Sequence, residues 1–123
     1  MNLKQEALSL HRKNKGKLAT KSKVSVKTKE DLSLVYTPGV AEVCKEIAAN
    51  ESSVYEYTMK ANSVAVVTDG SAVLGLGNIG AEASLPVMEG KCILFKELAD
   101  IDAFAICIKT QIDREFISIV KYI

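Results

Sequence analysis

Lys91 stands where a helix would be expected to present apolar side chains, and its amine is the first candidate for chemistry. From Pro86 to Ala99 the chain reads PVMEGKCILFKELA. Wound as a helix, Val87, Met88, Cys92, Leu94, Phe95, Leu98 and Ala99 form one apolar face, with Lys91 inside it. Glu89, Lys96 and Glu97 fall on the other side. An amine held among apolar side chains has its charged form destabilised, so its pKa falls toward neutrality. That environment turns lysine into a general base or a Schiff-base amine. Periodicity leaves a second reading open, in which Lys91 sits at the edge of the face and extends its ammonium into water.

Tyr36 is the second candidate. It precedes Thr37-Pro38, a pair that reads as a helix start with Thr37 as N-cap and Pro38 in the first helical position. The free N–H groups and positive potential of a helix N-terminus suit an anionic ligand. A tyrosine beside them can act as an acid whose phenolate is stabilised. The alternative is a hydrophobic staple, with Tyr36 packed on Ala41.

Gly75-Leu-Gly77-Asn-Ile-Gly80 matches the dinucleotide fingerprint G-x-G-x-x-G. Its surroundings disagree with that use. Asp69 to Leu74 separate it from the strand that should precede it, and Pro86 would end or kink a helix begun near Ile79. Lys109 follows the next strand, where an acid for the ribose is expected. The glycines can instead bring backbone close to a small substrate or shape a loop that lines a pocket. Asn78 could donate its amide to a carboxylate, or simply tolerate the turn.

The elements that must position these residues alternate. A short amphipathic helix is expected from Lys4 to about Lys15. Val24 and Val26 suggest an edge strand, and a helix runs from Thr37 through Ile47 to Asn50. Val54–Met59 adds a helical turn. Ser63–Thr68 and Ala103–Ile108 read as buried strands. Between them come the glycine loop, a short helix to about Leu85 and the Lys91 helix; another helix begins at Asp113. This is an α/β layered domain with a small, mainly parallel sheet flanked by helices and a basic N-terminal arm. The last helix has no Gly, Asn or Pro to end it, so the chain reads as the front of something longer.

The composition, 123 residues with 48% hydrophobic and 25% charged, is that of one globular domain. No run of 18 apolar residues suggests a membrane span, and the first residues have no apolar signal core. Cys44, Cys92 and Cys107 are odd in number and scattered, which points to reduced cysteines and a cytoplasmic setting. The net charge of +1 hides an asymmetry: residues 1–29 carry nine Lys/Arg against one acid, and residues 30–123 seven against fourteen. The basic arm holds no aromatic residue to stack on bases, so nucleic acid is not the expected partner.

Four segments occur in a telling order: LVYTPGV (34–40), VAVVTDG (64–70), VLGLGNIG (73–80) and PVMEGK (86–91). Together they closely resemble the N-terminal domain of malic enzyme, of the shorter prokaryotic type, over nearly the whole chain. The resemblance implies oxidative decarboxylation of L-malate to pyruvate and CO2 with NAD or NADP and with Mg2+ or Mn2+. It implies that Lys91 is the general base and Tyr36 the general acid, and that the enzyme is a homodimer. Under it, residues 1–29 form the basic helix and arm, and 30–123 the substrate-side domain. The family's Glu-Asp metal ligands and its cofactor domain are expected downstream, so this chain is expected to hold neither metal nor cofactor and to be inactive alone. Asp100/Asp102 and Glu97/Asp100 do not match the ligand motif. Larger malic enzymes carry an arginine for the substrate carboxylate where Ala72 stands here. That leaves Asn78 and the loop backbone at Gly77 as substrate-binding candidates.

Two other readings remain on the residues alone. A non-catalytic binding or dimerisation module of the same fold would keep the core but need neither Tyr36 nor Lys91. A dinucleotide-binding module would bind NAD through Gly75–Gly80.

Overall fold

The structure, a computed structural model describing residues 2–123, runs in order through α1 (Leu3–Asn14), α2 (Lys29–Val35), α3 (Val40–Ala49), α4 (Val54–Tyr57), β1 (Ser63–Thr68), α5 (Ala81–Ala99), β2 (Asp102–Cys107) and α6 (Asp113–Lys121). Packing divides it into two units. One combines the chain up to Leu18 with Ser63–Ile123, and the other is Ala19–Asn62.

In the first unit β1 and β2 pair in parallel, in register from Ser63 opposite Asp102 to Thr68 opposite Cys107. Parallel neighbours need a crossover, and α5 supplies it, packing on both strands. The expected α/β class with a small parallel sheet is what forms. The core is narrow. Ala81, Ser84, Met88 and Cys92, spaced three and four apart, make one buried stripe along α5, and Val73 is buried as well. Ser84 is fully enclosed, and its hydroxyl donates to the Ala81 carbonyl at 2.6 Å and reaches Cys107 Sγ at 3.7 Å. Neither strand is buried as expected. Each is only half-covered, with Val64 and Phe104 exposed, because in a two-stranded sheet both strands are edges.

Pro86 lies inside one continuous 19-residue helix, where two helices were expected. The missing N–H and ring clash disfavour an interior proline by about 3 kcal/mol. The buried stripe runs past Pro86 on both sides, so breaking the helix there would pull Ser84 or Met88 off the sheet. Burial of Met88 alone is worth about 1.5–3 kcal/mol.

In the second unit α2 begins with a reciprocal capping box, which the periodicity reading did not anticipate. Thr28 Oγ1 accepts the Asp31 N–H at 3.1 Å, and the Asp31 carboxylate accepts the Thr28 N–H at 3.0 Å. The expected helix at Thr37 starts later, at Val40, with Gly39 as N-cap. Thr37-Pro38 is a cis peptide. Thr37 does not cap, because backbone carbonyls at the end of α2 meet the first N–H groups: Gly39 donates to Ser33 O at 2.8 Å and Val40 to Tyr36 O at 2.7 Å. A Cβ on Gly39 would lie 2.6 Å from Ser33 O, so glycine alone fits this approach. The expected edge strand at Val24 and Val26 is absent, and both valines are exposed. The Ser22 hydroxyl bonds both the N–H and the carbonyl of Val24, using the groups a strand would offer. Short 3₁₀ turns, Glu51–Ser53 and Met59–Ala61, frame α4.

Candidate active site

Lys91 is exposed, not enclosed by the apolar face. That face divides in two. The Ala81–Cys92 stripe meets the sheet, while Leu94 and Leu98 stay 58% and 81% exposed. A two-stranded sheet is too narrow to cover both halves. Lys91 lies on the uncovered half, one helical turn after Val87 and one before Leu94 and Phe95. Its neighbours along the helix are apolar as expected, and Leu94 and Phe95 stand exposed with it.

Tyr36 ends α2 as its C-cap, where a place just before an N-cap was expected. Its N–H donates to Leu32 O and its carbonyl accepts from Val40 at the entrance to α3. Its side chain is 66% exposed, and Ala41 is exposed too. Tyr36 and Lys91 belong to different packing units.

The glycine loop closes on itself at the carboxyl end of β1. Gly70 has φ +75°, and a Cβ there would lie 2.0 Å from the Gly80 carbonyl oxygen. Ile79 and Gly80 N–H groups both donate to Gly70 O, at 3.1 and 3.2 Å. Buried Val73 anchors the loop from within, its N–H donating to Gly77 O at 3.0 Å. Gly75 and Gly77 also have positive φ, but open space surrounds them.

Beside this loop is a shallow cleft of about 360 Å³ lined by Asp69, Asn78, Gly80, Ala81, Lys109, Thr110 and Gln111. It opens at the carboxyl ends of parallel strands, where α/β folds place ligands, and at the start of α5, whose Gly80 cap brings no side-chain bond. Of the expected substrate contacts, Asn78 lines the cleft and Gly77 does not. Asn78 Nδ2 donates to Gln111 Oε1, Asn78 Oδ1 accepts the Gly80 N–H, and Gln111 Nε2 donates to Asp69 O at 3.2 Å. These bonds tie the glycine loop to the β2–α6 loop. Gln111 was not visible in the sequence, since its partners lie 33 and 42 residues away. The Ser71 hydroxyl and N–H hold the Asp69 carboxyl below its ordinary range. Lys109 pairs with Glu82 and lowers that carboxyl likewise.

Among the described residues no group of three or more His, Cys, Asp or Glu is arranged to hold a metal ion. Between Asp100 and Asp102 stands the Lys96 ammonium, hydrogen-bonded to both, which raises the Lys96 pKa. Among the same residues no helix is long and apolar enough to cross a membrane.

The family model described as malic enzyme, N-terminal domain matches residues 13–119. A bifunctional malic/malolactic enzyme of Bacillus subtilis is 60% identical over 121 residues, covering 98% of this chain and 30% of that protein. An NAD-dependent malic enzyme of Geobacillus stearothermophilus is 59% identical over 88% of this chain and 23% of its own length. The crystal structure of a Pyrococcus horikoshii malic enzyme superposes with a TM-score of 0.95 at 56% identity, over 98% of this chain and 29% of that one. The chain thus spans less than a third of the length of each of these relatives. Family model, sequence identity and superposition agree over nearly all of it: the chain belongs to the malic enzyme family, as its N-terminal domain.

Proposed function

We propose that this chain is the substrate-side domain of an enzyme that converts L-malate to pyruvate and CO2, with NAD or NADP and with Mg2+ or Mn2+. In this reading Lys91 takes the proton of the C2 hydroxyl and Tyr36 delivers a proton to C3 once CO2 has left. Residues 30–123 form that domain, residues 1–29 the basic arm that helps two copies associate, and the enzyme works in the cytoplasm. In this reading nicotinamide and metal are held by residues outside this domain.

The observation that carries this reading is the setting of Lys91. It sits mid-helix on a long rigid element, among exposed Leu94, Phe95 and Leu98. A base must lose its proton near neutral pH, and a lysine achieves that when apolar groups close around it. Such a stripe prepares the amine for desolvation by a facing surface. Asn78, released from Gln111, and the backbone around Gly77 would then hold a malate carboxylate.

The test is Lys91→Ala in the complete malic enzyme carrying this domain. Malate oxidation is expected to fall by about 10²–10⁴-fold, the usual contribution of a positioned base. An unchanged oxidation rate would remove Lys91 from the mechanism and favour a binding or dimerisation module.

A further inference from the structure

Two elements distant in sequence meet just before Lys91. After α1 the chain reverses through Lys15 at φ 55° and Gly16 at φ 101°. The reversal brings Gly16 against α5: a Cβ there would lie 2.8 Å from Glu89 Oε1. The next residue makes two bonds to the same stretch of helix. Lys17 N–H donates to Glu89 Oε2 at 3.0 Å, and Lys17 Nζ donates to the Pro86 carbonyl at 2.7 Å. Gly16, Lys17 and Glu89 are all half-buried at this contact.

The contact falls where α5 is weakest. Pro86 removes one rung of the helix ladder, and interior prolines are where helices kink. Lys91 begins the next turn. A small change of kink angle at Pro86 swings everything beyond it.

We propose that the Lys15–Lys17 turn and Glu89 form a clip that fixes the proline-weakened segment of α5, so that Glu89 and Lys17 are positioning residues for the Lys91 amine. This rests on the reading of Lys91 as the base. The clip uses a charged acceptor on a backbone N–H, a stronger bond than a neutral pair. It also uses a glycine whose φ of +101° L side chains rarely adopt and whose Cβ could enter only by displacing the Glu89 carboxylate.

Three variants in the complete enzyme test it, alongside Lys91→Ala. Glu89→Ala removes the acceptor. It is expected to lower kcat for malate oxidation about 10-fold with KM little changed, since small misplacements of a reacting group are costly. Glu89→Gln keeps an oxygen for the Lys17 N–H and is expected to restore most of kcat. Gly16→Ala pushes the turn off Glu89 and is expected to behave like Glu89→Ala. Hydrogen exchange of the amides at 87–95 gives a readout independent of turnover. It should quicken in Glu89→Ala and Gly16→Ala, but not in Glu89→Gln. Unchanged exchange in Glu89→Ala would overturn the clip. Quickened exchange with unchanged kcat would overturn the positioning role. A Lys91→Ala enzyme of full activity would instead sink the underlying reading, whatever the clip variants do.

Discussion

The unit built on β1, α5 and β2 encloses side chains, whereas the Ala19–Asn62 unit encloses none. Gly70, Val73, Ala81, Ser84, Met88 and Cys92, the buried residues among those described, all belong to the first. In the second, Leu34 is 75% exposed and Met59 61%, and Leu32 and Tyr55 are exposed as well. Beside half-buried Val43, Ile47 and Val54, it is held by local devices: the Thr28–Asp31 capping box, the Gly39 approach to Ser33, and 3₁₀ turns around α4. Each device is worth about 1 kcal/mol, far less than a packed core. The first unit can therefore specify its own geometry. The second leaves large apolar side chains exposed.

The sharpest way to break this contrast is inside the glycine loop of the first unit. Gly70→Ala would drive a Cβ into the Gly80 backbone, 2.0 Å from its oxygen, at a φ of +75°. Neither side of that clash is a flexible side chain, so the loss should exceed about 4 kcal/mol, the range reserved for such failures. Gly75→Ala meets nothing within 4 Å and should lose only about 1–2 kcal/mol for its left-handed backbone. Denaturant midpoints of the two variants check the pair. Equal losses would show that the loop is held by conformational preference and not by the Gly70–Gly80 closure.

A smaller effect is expected in the core. Met88 is 4% exposed, and Met88→Ala should destabilise by about 2–5 kcal/mol. Ile47, on α3 of the second unit, is only half-buried. Ile47→Ala should lose well under half as much if nothing covers α3. Thermal unfolding of both variants decides it. An Ile47→Ala loss matching Met88→Ala would mean that α3 is packed more completely than its own unit provides.

How much of this was legible in the sequence follows the same division. The strands, α1 and α6 were readable because short apolar runs and helical periodicity set the local structure there, even though the strands are only half-covered and neither helix buries a residue. The continuity of α5 was not, because Pro86 is a local stop signal that burial on the sheet overrides. Lys91 was correctly placed among apolar residues on α5, but periodicity left burial and an edge position both open, because a helical wheel cannot know how wide the opposing sheet is; the structure exposes it. The turn at Tyr36 was misread because Thr37-Pro38 carries the signature of a cap, while backbone carbonyls from α2 meet the N–H groups first. The Asn78–Gln111–Asp69 tie and the Lys17–Glu89 clip join residues whose partners share no local pattern.

The capping box offers a test on the second unit alone. Thr28→Ala removes the acceptor for the Asp31 N–H and should weaken α2 by about 1 kcal/mol. Because α2 has little else to hold it, that loss should appear as frayed amides from Lys29 to Val35 in hydrogen exchange, with β1 and β2 unaffected. Loss of protection spreading to the strands would mean that the two units unfold as one.

The smallest expected effect is on acidification. The Lys27 and Thr28 N–H groups and the Thr28 hydroxyl hold the Asp31 carboxyl below its ordinary range. A carboxyl with a lowered folded pKa contributes stability that is present in full above its unfolded pKa, about 4, and that is lost as pH falls through the folded value. Asp69 obeys the same sign through Ser71. It sits in a unit with a core, so protonating it should loosen a loop without freeing a helix. Following backbone chemical shifts from pH 6 downward, α2 should lose helicity before β1 and β2 change. Asp31→Asn should abolish the α2 step while leaving the strands' titration as it was. If α2 and the strands move together in both proteins, the box is not what holds α2. Its order must then come from other contacts, such as those that α2 makes with the start of α3.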